Sequence, residues 1–202
     1  MYRPQLSILQ TFTPKTHLPL SRDRVWLIEQ GIVRTFTWSD RGYLTILGIW
    51  GQGDIVGLPL SPMTPYQVEC LTPVAVAEVP LGSQSRYWQE LLLNHLWRSQ
   101  ELFHILHNPQ MTDRLLALLH WLAQRFGQST PQGLLLDAIL THHQLAETLG
   151  SSRVTVTRLL SRLEQQGKII RFRRQVAYGV TPRTHRALLL PAATEERRSV
   201  GT

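Results

Sequence analysis

Apolar and polar positions in the first part of the chain alternate in short runs, as expected for strands. Apolar, β-branched and aromatic residues fill VWLIEQGIVRTFTW from Val25, YLTILGIW from Tyr43 and YQVECLTPVAVAEVP from Tyr66. Glycines and prolines separate the runs, which is typical of an antiparallel sandwich or barrel. Residues 1–24 are irregular in pattern and include one candidate edge strand.

From Ser83 the pattern changes to that of helices. No Gly or Pro occurs between Ser83 and Pro109, where the first helix is interrupted and a hinge between domains is predicted. Thr112 is a candidate cap for a second helix that ends at Gly127. Spacings of four and three place one narrow stripe on a single side of the first helix: Leu92, Leu96, Ser99, Phe103 and Leu106. The stripe suits a parallel helix dimer, although burial against the chain's own sheet would produce a similar one.

Residues 141–167 predict two helices joined by a tight turn. Thr141 and Ser152 are candidate N-caps, and Gly150 supplies the turn because glycine tolerates positive φ. The predicted buried faces are apolar, with Leu145, Ala146 and Leu149 on the first helix and Val156, Leu159, Leu160 and Leu163 on the second. This spacing fits the helix-turn-helix of DNA-binding proteins.

The second of these helices leaves polar side chains facing outward near its N-terminal end: Arg153, Thr155, Thr157 and Arg158. In helix-turn-helix proteins that end enters the major groove. There an Arg donates two hydrogen bonds to guanine, while Val or Thr methyl groups contact the thymine methyl. An ordinary surface helix with scattered arginines is the alternative.

The segment KIIRFRRQVAYGV after Gly167 is predicted to form a basic wing of two short strands, with Arg173 to Gln175 as the turn. Candidate contacts to DNA phosphates, which position a protein without reading sequence, are Thr141, His143, Ser152, Lys168, Arg171, Arg173 and Arg174. A solvated hairpin is the alternative. Residues 192–202 are expected to be a disordered tail.

The distribution of charge indicates a polyanionic partner. The 202 residues carry a formal net charge of +7. Residues 1–140 contain ten basic and ten acidic residues, and 192–202 contain two of each, whereas 141–191 contain nine basic and two acidic residues. A basic segment beside a neutral remainder is typical of a DNA-binding domain attached to another domain. A solvated basic face with no partner is the alternative.

Composition argues against other classes of protein. Cys70 is the single cysteine, which excludes intramolecular disulfides and zinc sites built from several cysteines. Without a long apolar run or a signal peptide, we expect a soluble cytoplasmic protein with no membrane partner. The turn at Gly51 lacks the Lys and Ser/Thr of a phosphate-binding loop, and no catalytic set is present, so we expect neither an enzyme nor a cofactor. His104 and His107 share a helix face without a third ligand, and Cys70 suits a core strand better than haem ligation, so no metal site is expected.

Taken in order, these features resemble the CRP/FNR family of bacterial transcription regulators. The segment LGSSRVTVTRLLSRLEQQGKI is most similar to the cyanobacterial global nitrogen regulators of that family, and WLIEQGIVRTF and GQGDIVG resemble its roll. The resemblance implies an α+β fold. Residues 1–82 would form an antiparallel β-roll (a double-stranded β-helix, cupin-like), 83–110 a long dimerisation helix and hinge, and 111–191 a winged helix-turn-helix domain.

The resemblance also implies how DNA would be read. Arg153, Val154 and Arg158 would occupy base-reading positions, and the family's cyclic-AMP-type readers have Glu where this chain has Val154, so a GTA half-site with a TAC partner is implied. We expect a homodimer on a palindromic promoter site, with the helix at 152–165 in the major groove. RNA polymerase is a further expected partner, for which the loop from Gln128 to Gly133 is a candidate contact by its place in the family fold.

The roll departs from its relatives at the positions that bind effectors. Cyclic-nucleotide binders have a Glu and an Arg-Ser pair after the roll glycine, whereas Gly57 is followed here by LPLSP and no Arg occurs between Arg41 and Arg86. The arginines that bind 2-oxoglutarate in the nitrogen regulators align with about Thr64 and His95. An anionic ligand would lack its guanidinium partner. This favours a regulator that binds DNA without effector; one gated by an unidentified small metabolite, and a scaffold that binds protein, are the alternatives.

Overall fold

The computed structural model describes residues 9–81, 86–137, 140–178 and 181–191, and for 172–178 and 181–186 it describes the backbone alone. The tail predicted at 192–202 and the domain boundary predicted at 82 lie outside the described residues.

Seven short strands and one turn of 3-10 helix at Leu58–Leu60 form the N-terminal half. The strands are β1 (Gln10–Phe12), β2 (Arg24–Gln30), β3 (Val33–Trp38), β4 (Leu44–Trp50), β5 (Ile55–Val56), β6 (Gln67–Cys70) and β7 (Val74–Pro80). They pair antiparallel in two sheets, ordered β1-β7-β2-β5 and β4-β3-β6. The antiparallel strands predicted from the alternating pattern are confirmed, their two sheets form the roll that the resemblance implies, and the candidate edge strand is β1.

Four helices and a third sheet form the C-terminal half. The helices are α1 (Arg86–Leu106), α2 (Met111–Phe126), α3 (His142–Leu149) and α4 (Arg153–Gln165). The strands are β8 (Gln128–Thr130), β9 (Gly133–Asp137), β10 (Ile170–Tyr178) and β11 (Thr181–Pro191), in the order β10-β11-β9-β8. None of the helices in these ranges is long and apolar enough to span a bilayer.

Three local predictions need correction. The helix break is where the sequence places it, but α2 begins at Met111 after the N-cap Gln110, two residues earlier than a cap at Thr112 would allow. Arg173 to Gln175 lie within β10 and pair with β11, so they are not the turn. Apolar residues continue at alternate positions on both sides of them, and basic side chains do not break a strand. The predicted loop from Gln128 to Gly133 is a hairpin, because Gln128–Thr130 is strand β8.

The roll core contains the side chains that face inward from both sheets. Cys70 is fully buried there, as the sequence predicts, and burial raises the pKa of its thiol. Trp50 is buried and its indole N–H donates to the Thr35 hydroxyl at 2.9 Å. Burial also raises the pKa of Tyr66 to about 12. Trp26, Trp50 and Tyr66 therefore share the roll interior with aliphatic side chains, and the Trp26 and Trp50 indole N–H groups donate hydrogen bonds within the roll.

A second apolar cluster joins the roll to the helices. Phe36, Ile46 and Ile49 from β3 and β4 pack in the same cluster as the buried side chains of α2, α3 and α4. Leu115, Leu118 and similar residues of α2 are fully buried within it. The interruption between helices α1 and α2 therefore lies beside a continuous core. The roll and the C-terminal half pack directly on one another.

The stripe predicted along α1 is mostly exposed. Leu92, Leu96 and Phe103 are 37%, 50% and 64% exposed, while Leu91 and Leu102 are the buried residues of this helix. The remaining stripe members, Ser99 and Leu106, are half-buried. Burial against the chain's own sheet, the alternative explanation of the stripe, is therefore wrong for its three most exposed members.

His95 holds α1 against the roll. Its ring stacks on Trp50 with centroids 4.2 Å apart and planes 8° apart, and Nδ1 lies 3.0 Å from the Ile55 carbonyl oxygen. Burial lowers the pKa of His95 below its ordinary value of 6.5. Burial has the same effect on the pKa of His120 in α2.

We expect the free energy of unfolding to decrease as pH falls below about 6.5. A histidine whose pKa is lowered in the fold binds fewer protons there than in the unfolded chain, so stability is complete above the unfolded pKa and is lost below it. Urea denaturation at about pH 7.5 and about pH 5.5 measures the difference. His95→Gln should reduce this pH dependence and leave the part due to His120. An undiminished dependence in the variant would contradict the assignment.

Candidate nucleic-acid interface

Helix α3 begins with a reciprocal pair of hydrogen bonds. The Thr141 hydroxyl accepts from the Gln144 backbone N–H at 3.2 Å, and the Gln144 side-chain oxygen accepts from the Thr141 N–H at 2.9 Å. This capping box satisfies two N–H groups that a helix start leaves unpaired. The N-cap predicted at Thr141 is confirmed.

A glycine turn connects α3 to α4. Gly150 has φ 63° and ψ 42°, in the left-handed region, and the Ser151 N–H donates to the Ala146 carbonyl at 2.9 Å. A Cβ at Gly150 would meet no atom within 4 Å, so the backbone conformation is what favours glycine here. Helix α4 then starts at once, because the Ser152 hydroxyl accepts from the Thr155 N–H at 3.1 Å. The predicted turn and second cap are both confirmed.

The two helices pack through the faces that the sequence predicts. All seven predicted core residues are buried: Leu145, Ala146, Leu149, Val156, Leu159, Leu160 and Leu163. They join the cluster shared with α2 and the roll. Rotation of α4 about its own axis would expose these side chains, so packing fixes which face of α4 points outward.

The outer face of α4 carries two arginines beside an exposed valine. A shallow groove of about 450 Å³ runs along it and is lined by Arg153, Val154, Thr157, Arg158 and Ser161. Val154 is 77% exposed. Two guanidinium forks beside an uncovered methyl pair are the groups needed to contact guanine edges and a thymine methyl.

Four of the five predicted base-reading residues share this face, and Thr155 does not. Thr155 is half-buried, and its hydroxyl lies 2.9 Å from the hydroxyl of Ser152. Thr157 donates its hydroxyl hydrogen to the Arg153 carbonyl at 2.9 Å, which leaves its methyl group for apolar contact. Thr155 therefore belongs to the helix start.

Two residues of this surface are absent from the sequence prediction. Ser161 lies in the groove, and its spacing of eight from Arg153 on one helix could have identified it. His142 places Nδ1 2.9 Å from the Thr157 hydroxyl and so connects α3 to α4. No sequence signal reveals the latter contact, because it depends on the angle between the helices.

The candidate phosphate contacts fall in two places. Thr141, His143 and Ser152 are exposed around the N-terminal ends of α3 and α4, where the helix dipole favours an anion. Lys168 is exposed just after α4. The structure thus places these four on segments adjoining the α4 face.

Arg171 differs from the other phosphate candidates because its guanidinium is engaged within the protein. Its Nε donates to a Glu164 carboxylate oxygen at 2.7 Å, and Nη2 contacts the same oxygen and the Ser161 hydroxyl. The hydrogen bond from Arg171 holds the pKa of Glu164 below its usual range. Arg171 therefore braces β10 against the end of α4. Arg173 and Arg174 lie farther along β10, where the structure describes only the backbone.

Comparison with known proteins agrees with this architecture. The profile of the Crp-like helix-turn-helix domain matches residues 113–179. The regulatory protein CysR of Synechococcus elongatus is 39% identical over 157 residues, which cover 76% of this chain and 75% of that protein. The chain belongs to the CRP/FNR family of transcription regulators. The global nitrogen regulator of the same organism is 28% identical to this CRP/FNR regulator over 159 residues, 71% of each chain.

Solved structures share the fold of this CRP/FNR regulator. A CRP-family transcriptional regulator from Thermus thermophilus superposes with a TM-score of 0.67 at 21% identity, covering 91% of this chain and 92% of the other. FixK2 from Bradyrhizobium japonicum superposes with a TM-score of 0.69 at 17% identity, covering 91% of both chains. The expected α+β fold, with an antiparallel roll and a C-terminal helix-turn-helix, is thereby confirmed.

The two positions that the resemblance pairs with effector-binding arginines lie beside the roll and on α1 in this CRP/FNR regulator. Thr64 is exposed beside the roll, and His95 is bonded to Ile55 and stacked on Trp50. Within the described ranges, no three His, Cys, Asp or Glu side chains lie close enough to hold a metal ion. His107, which the sequence pairs with His104, follows the last residue of α1, and its Nδ1 lies 2.8 Å from the Phe103 carbonyl oxygen.

Proposed function

We propose that this protein is a sequence-specific DNA-binding regulator, not an enzyme, that acts as a homodimer on a palindromic site. The outer face of α4 carries the proposal, because it presents Arg153, Val154, Thr157 and Arg158 together at the exposed end of a helix-turn-helix. The excess of basic residues in 141–191 supports the same partner, since each phosphate contact releases counterions.

The proposed half-site is of the GTA type, with TAC in the other half. Arg153 and Arg158 supply paired donors for guanine, and Val154 supplies methyl groups for thymine. Contacts by Thr141, His143, Ser152 and Lys168 to phosphates would set the register of α4 in the groove.

The proposed dimer forms through α1. Besides Leu92, Leu96 and Phe103, the neighbouring Leu93 and Trp97 are exposed on this helix. Single exposed apolar residues are common on protein surfaces, but five large ones in a row on one helix form a contiguous patch that is typical of an interface. The α1 helix of a second copy would cover it. Two copies related by a two-fold axis would then present two α4 helices to one palindrome.

We further propose that DNA binding needs no effector, so that the amount of protein controls occupancy. The apolar core of the roll, in which the buried Trp50 is bonded to Thr35 and stacked on His95, supports this proposal. The protein would act in the cytoplasm, and the hairpin of β8 and β9 is the surface proposed to contact RNA polymerase.

Equilibrium binding of the purified protein to a labelled GTA/TAC palindrome, compared with a scrambled duplex, tests the proposal. We expect the palindrome to bind at least about 1,000-fold more tightly than the scrambled duplex. Affinity should fall by about 1,000-fold or more between 50 and 200 mM salt if about six phosphates are contacted. Equal binding to both duplexes, with the same weak affinity, would contradict sequence-specific recognition of this site.

Arg153→Ala and Arg158→Ala should each weaken binding to the palindrome by about 1 to 3 kcal/mol and reduce discrimination at one base position, because each removes a paired donor. Titration of duplexes with single substitutions in the half-site measures the discrimination. Arg162→Ala is a matched control, since Arg162 is exposed on α4 outside the groove. An equal loss on palindrome and scrambled duplex would mean that the arginine contacts only phosphate.

Leu96→Asp and Phe103→Asp should dissociate the dimer and weaken palindrome binding, because a carboxylate in an apolar helix interface loses its hydration. Sedimentation velocity measures the oligomeric state. Asn94→Asp, at an exposed position on the side of the same helix opposite the predicted stripe, serves as the control. Variants that remain fully dimeric would show that the dimer uses another surface.

A further inference from the structure

A buried arginine connects the roll to the first helix of the helix-turn-helix. Arg34 lies on β3 and is only 8% exposed. Its Nε donates to a carboxylate oxygen of Glu69 on the adjacent strand β6 at 2.6 Å. Its Nη1 donates to a carboxylate oxygen of Glu147 on α3, also at 2.6 Å. One guanidinium therefore holds two carboxylates that belong to different halves of the chain.

The geometry of this arrangement restricts how α3 can move. The fork of Arg34 is planar and rigid, and its two bonds run to partners on either side. The bond to Glu69 fixes the plane of the guanidinium relative to the roll. Rotation of α3 away from the roll would separate Glu147 from Nη1 and leave the Arg34 charge with one partner in a buried site.

A second ion pair ties the same two halves at another point. Arg125 near the end of α2 contacts the carboxylate of Asp54, whose side chain is 7% exposed in the roll. It also donates to the Ile49 carbonyl oxygen at 2.8 Å. The ion pairs Arg34–Glu147 and Arg125–Asp54 connect the two halves at separate points, so together they resist both tilting and rotation of the C-terminal half relative to the roll.

The end of α1 is joined to α3 by a third arginine. Arg114 in α2 donates twice to the Asn108 carbonyl oxygen, at 2.9 and 2.7 Å, and once to the Leu149 carbonyl oxygen at 3.3 Å. These acceptors lie just after the last residue of α1 and at the end of α3. The direction of α3, and of α4 packed on it, is thus set relative to α1 as well as to the roll.

We propose that Arg34 and Glu147 are positioning residues that determine which half-site spacing the dimer accepts. The inference rests on the function proposed above. In a two-fold dimer built on α1, the separation of the two α4 helices follows from their angle to α1. Inserting one base pair moves a half-site by about 3.4 Å and turns it by about 35°. A domain held in one orientation cannot follow that change.

The experiment compares wild type, Arg34→Gln and Glu147→Ala on GTA/TAC palindromes whose centres differ in length by single base pairs. Wild type should lose at least about tenfold in affinity, comparable to one mismatched base pair, when the best centre is lengthened or shortened by one. The two variants should lose only about twofold for the same change. Because the readout is a ratio between spacings, a uniform loss of affinity or stability does not affect it.

Two choices keep the test specific. Glu147→Ala leaves Arg34 bonded to Glu69, so this variant remains informative if Arg34→Gln unfolds the roll. Glu147→Ala also removes the carboxylate that contacts His143, but that loss affects binding at all spacings alike. Arg24→Gln is the matched control. It removes an arginine-to-carboxylate bond of 2.8 Å, to Glu78 within the roll, that does not reach the C-terminal half.

Relaxed spacing in Glu147→Ala, with wild-type discrimination in Arg24→Gln, would support the inference. Wild-type spacing preference in Glu147→Ala would overturn it while leaving the proposed function intact, even if the variant were less stable. If wild type itself bound every palindrome no better than the scrambled duplex, the proposed function and this inference would both be rejected.

Discussion

The packing of the sheet β4-β3-β6 against the helices is the contact on which the geometry of this protein depends. Phe36, Ile46 and Ile49 enter the same apolar cluster as α2, α3 and α4, so the roll provides part of the core of the C-terminal half. Burial of one such side chain contributes about 1.5 to 3 kcal/mol. The sheet therefore acts as a platform for the helices, and the outward direction of α4 is a consequence of that packing.

Arginines perform two different tasks in this chain, according to their surroundings. Arg34 and Arg125 are buried and form ion pairs with carboxylates inside the protein, so their charges stabilise the fold. Arg153 and Arg158 face the open groove of α4. A buried guanidinium needs its carboxylate partners, so of these four arginines Arg153 and Arg158 are the two left accessible to an external ligand.

The sequence was most informative where structure depends on neighbours along the chain. The caps at Thr141 and Ser152 and the turn at Gly150 follow from side-chain chemistry within four residues. The core faces of α3 and α4 follow from helical periodicity. Strand β10 was misjudged at Arg173 to Gln175, because its pairing with β11 outweighs the polar composition that suggested a turn. The bond from Arg34 to Glu147 spans 113 positions, and no local pattern indicates it.

The uncovered apolar row on α1 has a consequence for how a response could depend on dose. When only paired chains bind the palindrome, and pairing is weak at low concentration, the binding species increases with the square of the total amount of protein. Doubling the amount of protein then raises the concentration of the paired form fourfold, and halving it by dilution during growth lowers that concentration fourfold. A helix surface alone can in this way convert a graded supply of protein into a threshold in gene expression.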